Sequence, residues 1–156
     1  MANIRTDEFR RAWTERQVAF WQRLGRRAAD SGLTVALENM WEWEPAIIRD
    51  VLEQVALPNV RACLDVGHAH LYSSAPLADW LAALDGHLVY AHLNNNNGQV
   101  DEHRALDDGV LDYGTILPQL RALPRPPTIS LEITGAAAKA RSLRFFNLPN
   151  LTPTTA

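Results

Sequence analysis

The stretch Val60-Arg61-Ala62-Cys63-Leu64-Asp65-Val66-Gly67-His68 decides the fold, because an apolar strand runs into an acid at its carboxyl end and then turns. The same event recurs three times: VALE ends on Glu38, VYAH on His92 and ISLE on Glu132. Short, almost continuously apolar strands of this kind are usually buried on both faces, as in a parallel sheet. The strands read at residues 33–38, 60–66, 88–93 and 128–133 start at intervals of roughly 27, 27 and 40 residues, which leaves room for a helix in each crossover. The fold class is therefore α/β, built of parallel βαβ units with right-handed connections.

The helices are read from the 3.6-residue period and from their stop signals. Residues 6–30 place Phe9, Trp13, Phe20, Leu24 and Ala28 on one stripe, with Gly32 as the stop. Pro45 opens a second helix carrying Ile47, Ile48, Val51, Leu52 and Val55, and Pro58 ends it. Pro76 opens a third, with Leu77, Trp80, Leu81 and Leu84, closed by Asp85-Gly86. A long polar loop spans 94–112, a fourth helix runs over 114–123, and an Ala-rich helix covers about 136–146. No linker divides the chain, so residues 1–146 read as one domain and 147–156 as a frayed tail.

Composition narrows the function classes. A chain of 156 residues that is 47% apolar can bury a sizeable core. Fifteen Lys plus Arg against eighteen Asp plus Glu give a net charge of −3, the wrong sign for a surface that neutralises phosphates, so nucleic acid is disfavoured. Of the fifteen basic residues only Lys139 is a lysine. The lone Cys63 forms no intramolecular disulfide and no cysteine-rich metal cluster. With neither a membrane-length apolar run nor a signal-type N-terminus, a reducing, cytoplasmic setting without membrane contact is expected.

The strand ends carry the chemistry. A parallel α/β sheet presents its site at the carboxyl ends of its strands, where Glu38, Asp65, His92 and Glu132 fall. Each interrupts an apolar run, which is costly unless the group is paired or holds a metal. Three carboxylates and one imidazole suit one divalent ion, Mn2+ or Mg2+ first, with Zn2+ or Co2+ as alternatives. In a flat sheet the outer two of four strands lie about 14 Å apart, so the sheet must curve for all four to converge, as a barrel wall does. His68 faces the same cavity from the turn after Asp65, with Gly67 allowing a tight bend. Asp101 and His103, two residues apart, reach one point if their segment is extended. His70 and His87 are read as structural. Trp41 and Trp43 after Glu38 either cover something apolar or simply pack.

The motifs VALEN, ACLDVGHAH, VYAHLNNN…DEH and ISLEI together resemble the second half of the xylose isomerase-like TIM barrels. That superfamily includes sugar phosphate isomerases/epimerases, ketose 3-epimerases, hydroxypyruvate isomerases and apurinic endonucleases. The resemblance runs from about residue 6 to 146. It implies four βα units of TIM-barrel type, corresponding to strands five to eight, preceded by one helix. It implies that Glu38, Asp65, His92 and Glu132 are ligands of a divalent metal, that Glu38 and Glu132 also accept and donate the proton, and that His68, Asp101 and His103 bind substrate. The segment from Asp101-Glu102-His103 to Asp107-Asp108-Gly109 resembles a substrate-side loop. The implied activity is isomerisation or epimerisation of a sugar or sugar phosphate in carbohydrate metabolism, through an enediolate stabilised by the ion.

A metal-dependent apurinic endonuclease-like phosphodiesterase is the first alternative, and a truncated, non-catalytic half barrel is the second. A full barrel takes eight strands and about 250 residues. The chain is therefore expected to be a fragment of a longer protein, a half that assembles with a second copy, or a vestige. Open strand edges make self-association the expectation for a soluble form.

Overall fold

The computed structural model describes residues 7–146. The predicted tail at 147–156 lies outside the described residues. The elements are α1 (Asp7–Ala29), β1 (Val35–Glu38), α2 (Ala46–Val55), β2 (Val60–Asp65), α3 (Val66–Tyr72), α4 (Leu77–Leu84), β3 (Leu88–Leu93), α5 (Tyr113–Arg121), β4 (Thr128–Leu131) and α6 (Ala136–Ser142), followed by a 3-10 turn at Leu143–Phe146. All strand pairs are parallel, in the order β1-β2-β3-β4. The α/β expectation holds.

Parallel register fixes which side chains share a face. Glu38 lies opposite Cys63, Asp65 opposite His92, and His92 opposite Ser130. Alternation then sends Leu37, Val60, Ala62, Leu64, Ala91 and Leu93 to the other face, where they are buried. There they meet Ile48, Val51, Leu52, Trp80, Leu84, Ile116 and Leu120 from the helices. Trp80 is fully buried and donates its indole N–H to Ser73 Oγ at 3.3 Å.

Three sequence expectations are corrected. The outer strands are not buried on both faces: Ala36 and Thr128 are exposed, because among the described residues helices cover only one side of the sheet. On α1, Phe9 and Phe20 are exposed at 52% and 46%. The seated face keeps Ala28 and the partly buried Trp13 of the expected stripe and adds Thr14 and Gly25, flanked by the partly buried Val18 and Trp21. Small residues let the helix approach β2 closely, and a count of large apolar residues misses that. Finally, Gly67 is not a bend. Residues 66–72 form α3, and a Cβ at Gly67 would stand 2.1 Å from Asn94 Oδ1, so the glycine serves close approach.

The α1 contact is testable. A Cβ at Gly25 would lie 2.4 Å from Val60 Cγ2, on a buried, branched side chain with little freedom to yield. Gly25→Ala is expected to cost about 1–3 kcal/mol in urea unfolding, whereas Phe20→Ser on the exposed face stays within about 0.5 kcal/mol. Equal effects would refute this seating of the helix.

Candidate metal centre

Asp65 ends β2 and caps α3. Its side chain has no solvent exposure, and Oδ1 accepts the backbone N–H of His68 at 2.7 Å. Asn94 donates to Oδ2 at 2.8 Å. The Asn39 amide clamps the Asp65 backbone from β1, accepting from its N–H at 2.8 Å and donating to its C=O at 3.0 Å. Tyr113 on α5 donates its hydroxyl to the Asn94 carbonyl. Burial pushes the Asp65 carboxyl up, against the opposing pull of His68.

Around it the structure brings together Glu38, Asp65, His92 and Glu132, each with a ligand atom within 4.8 Å of the others. The sheet therefore curves as the convergence argument requires. His92 Nδ1 lies 2.9 Å from Glu38 Oε1 and 2.9 Å from Glu132 Oε2. Hydrogen bonds to Cys63 and then to Glu38 push His92 up to about 11. The His92 bond holds Glu38 below its ordinary value. In the absence of a cation the two glutamates thus favour a protonated ring, on the nitrogen that would otherwise face the ion. An oxygen-rich set of three carboxylates and one imidazole at this separation fits a divalent ion.

His68, Asp101 and His103 form an adjoining cluster, also within 4.8 Å of one another. His68 is 4% exposed, so its ring is buried. Its Nδ1 meets the Asn39 carbonyl at 3.0 Å and its Nε2 meets Asp101 Oδ2 at 3.0 Å. Burial opposes charge on this ring, but Asp65, the Asn39 carbonyl and Asp101 outweigh it and raise its pKa. His103 Nδ1 meets the Glu132 carbonyl at 2.7 Å, and its Nε2 lies 3.2 Å from Asp101 Oδ1.

Carbonyl oxygens only accept, so both Nδ1 atoms carry protons and both neutral rings would aim Nε2 lone pairs at one carboxylate. Among the described residues, Asp101 Oδ1 is buried without a hydrogen-bond partner. Protonated rings or a cation among the three satisfy this geometry, and a histidine that donates its far N–H to a carbonyl is the usual arrangement of a metal ligand. The segment is not simply extended, since His103 has φ 52°.

Other candidates fall elsewhere. Glu102 accepts from the Asn97 N–H and pairs with Arg104, while Asp107 and Asp108 pair with Arg141. Neither His70 nor His87 joins either cluster. Trp41 is 54% exposed and remains available to cover a ligand. Sequence reasoning missed Asn39, Asn94, Tyr113 and Cys63. Cys63 Sγ lies with Glu38 and His92 within 4.8 Å, and burial pushes its thiol up. Only the asparagines left a signal, as the residues directly after Glu38 and β3.

The His92 charge has two pH signatures. Its stabilisation of the cation-free fold is full below the ordinary value of 6.5 and fades as the pH climbs toward about 11. Glu38 contributes above the usual carboxylate range and loses its contribution as acid protonates it. At pH 7, Mn2+ is expected to displace about one proton on binding, and its affinity to rise with pH. Calorimetry in buffers of different ionisation enthalpy measures this, and a pH-independent affinity with no proton release would contradict the arrangement.

Comparison with known proteins places this geometry. A family model described as xylose isomerase-like TIM barrel matches residues 2–147. A Thermus thermophilus protein, soaked with zinc chloride, superposes with TM-score 0.75 at 32% identity over 92% of this chain and 55% of that one. A D-tagatose 3-epimerase-like protein gives TM-score 0.75 at 20% identity, over 86% and 53%. A family 2 AP endonuclease from Brucella melitensis gives 0.69 at 18%, over 88% and 55%. The last two show a shared fold. An uncharacterised protein of Methanocaldococcus jannaschii is 25% identical over 112 residues, 67% of this chain and 38% of its own length. The chain thus spans about half the length of these solved structures and less of that curated relative, and it belongs to the xylose isomerase-like TIM barrel family.

Proposed function

We propose that residues 1–146 form one domain carrying the metal-binding and proton-transfer half of a divalent-metal-dependent isomerase or epimerase of a sugar or sugar phosphate. The observation that carries this reading is the placement of Glu38 and Glu132. They come from opposite edges of the sheet, yet each has an oxygen 2.9 Å from the same His92 nitrogen. Two carboxylates flanking one point can take a proton from one side of a carbon and return it on the other.

Glu38 and Glu132 accept and donate the proton, and with Asp65 and His92 they hold the cation. When bound, the divalent ion, Mn2+ or Mg2+ by the donor chemistry, polarises a carbonyl and its neighbouring hydroxyl. Asp65, buried and clamped by Asn39, His68 and Asn94, supplies a ligand whose position varies little. The half-exposed Glu132 side chain has room to move a proton. His68, Asp101 and His103 orient substrate hydroxyls. The zinc-soaked Thermus relative keeps Zn2+ among the candidate ions, and the same donor set admits Co2+.

One observation favours a second reading, a metal-dependent phosphodiesterase of apurinic endonuclease type: the two Nε2 atoms that converge on Asp101 could hold a further cation. The net charge of −3 speaks against a DNA-binding surface.

Incubation of the Mn2+-loaded chain with a ketose in D2O tests the first reading. Deuterium is expected at the carbon next to the carbonyl, and Glu132→Gln is expected to slow its entry about 100-fold or more. Absence of exchange, together with metal-dependent cleavage of an abasic oligonucleotide, would replace the first reading with the second.

A further inference from the structure

Among the described residues, the sheet ends in two unpaired edges, β1 and β4. In a parallel strand the N–H and C=O of one residue point to one neighbour, and those of the next residue point the other way. Val35 donates to the Asn59 carbonyl on the β2 side, and Glu132 donates to the Leu93 carbonyl on the β3 side. Ala36 and Glu38 therefore aim their backbone groups out of the β1 edge, and Ile129 and Leu131 aim theirs out of the β4 edge. Such an edge is a template for a further strand. The stagger of the sheet says which strand fits. Glu38 lies opposite Cys63, two residues short of Asp65, while Asp65 lies directly opposite His92. His92 in turn lies opposite Ser130, two residues short of Glu132. Relative to the pairing, the four ligands thus climb four residues from β1 to β4. A closed eight-stranded barrel of TIM type has a shear of 8, and strand number, tilt and shear must agree for closure. Two copies of this half sheet, joined with Glu132 level with Glu38 of the partner subunit, supply that shear with no further shift.

We propose that a second copy of this chain closes the barrel on a twofold axis, each β4 pairing in parallel with β1 of the other copy. The partner also completes the site. An open cavity of about 400 Å³ lies at the carboxyl end of β4, lined by His92, His103, Ser130, Glu132 and Thr134 among others. In the closed ring, the turn that follows Glu38 of the partner subunit runs along this flank and brings Trp41 of the partner subunit over the cavity. That turn carries Met40 and Trp41, which are 38% and 54% exposed, and closure gives them a surface to cover. Each of the two seams also sets Glu132 beside Glu38 of the partner subunit. Like charges directly opposite on neighbouring strands repel, so a cation in each cluster favours assembly. Closure depends on the sheet alone and is independent of the substrate.

Sedimentation of the full chain at tens of micromolar concentration tests the assembly without relying on turnover. The mass of two chains is expected, with a dimer about tenfold tighter in Mn2+ than in chelator. Ala36→Pro removes an outward N–H and no bond to β2, a change that an edge strand tolerates. It is expected to sediment as a monomer with an unchanged far-UV circular dichroism spectrum. The placement of the strands is read by crosslinking, because closure sets Ser130 level with Ala36 of the partner subunit. Neighbouring strands lie about 4.8 Å apart, within the Cα separation that a disulfide spans. Ala36→Cys mixed with Ser130→Cys is expected to give a covalent dimer on oxidation, and either variant alone to give little. A monomeric wild type, a dimer indifferent to Mn2+, an Ala36→Pro chain that still dimerises, or a mixture that does not crosslink would each overturn the proposal. None of these outcomes touches the sugar reading, which deuterium exchange decides.

Discussion

A carboxylate with no access to solvent has to be held by donors, and Asp65 organises the carboxyl end of the sheet on that condition. Its two oxygens take the His68 N–H and the Asn94 amide, while its own backbone is gripped by Asn39. Those three partners come from α3, the end of β3 and the end of β1, so one buried group ties three elements together. Asn94 in turn is held by Tyr113 and sits against Gly67, where a methyl group would collide with it. Removing any one donor would leave a buried charge short of a partner, which costs more than the bond itself contributes.

Side-chain length solves the convergence problem together with curvature. The outer strands lie about 14 Å apart in a flat sheet, and they supply the two glutamates, one at the end of β1 and one just beyond β4. The inner strands supply the shorter aspartate and the flat imidazole. Long arms at the flanks and short ones in the middle bring four ligand atoms within 4.8 Å. An aspartate at position 38 or 132 would fall short by one methylene. The same curvature leaves the concave face with Ala36, Tyr90 and Thr128 open, a less apolar surface than the interior of a closed barrel.

The strand ends were legible because each acid or imidazole breaks an apolar run, and four such breaks at βα spacing rarely arise by chance. Pro45 and Pro76 also marked helix starts well, since a fixed φ and a missing N–H suit the first turn. What stayed hidden has a common cause: contacts made by small or polar residues carry no periodic apolar signal. Gly25 and Thr14 seat α1 where Phe9 and Phe20 seemed to, α3 was hidden behind a glycine, and the buried Asn94, Asn95 and Asn96 looked like any polar loop. In fact Asn95 serves as a scaffold, donating to the Leu106 and Leu111 carbonyls and accepting the N–H groups of Asn96 and Leu111.

That scaffold explains how a loop between β3 and α5 delivers Asp101 with defined geometry. Backbone bonds between Asn95 and Arg104 close the loop on itself at 3.0 and 2.7 Å. His103 then adopts φ 52°, a conformation that costs a non-glycine residue roughly 1–2 kcal/mol. Two bonds to the end of β4 hold it there: the Thr134 N–H on its carbonyl at 2.9 Å, and its own Nδ1–H on the Glu132 carbonyl at 2.7 Å. The strained residue therefore fixes the ring that faces Asp101 and also touches the backbone of Glu132. Strain of this kind persists where surrounding structure over-determines it. Here it couples the two clusters, so a shift of Glu132 would move His103, and through it the carboxylate shared with His68.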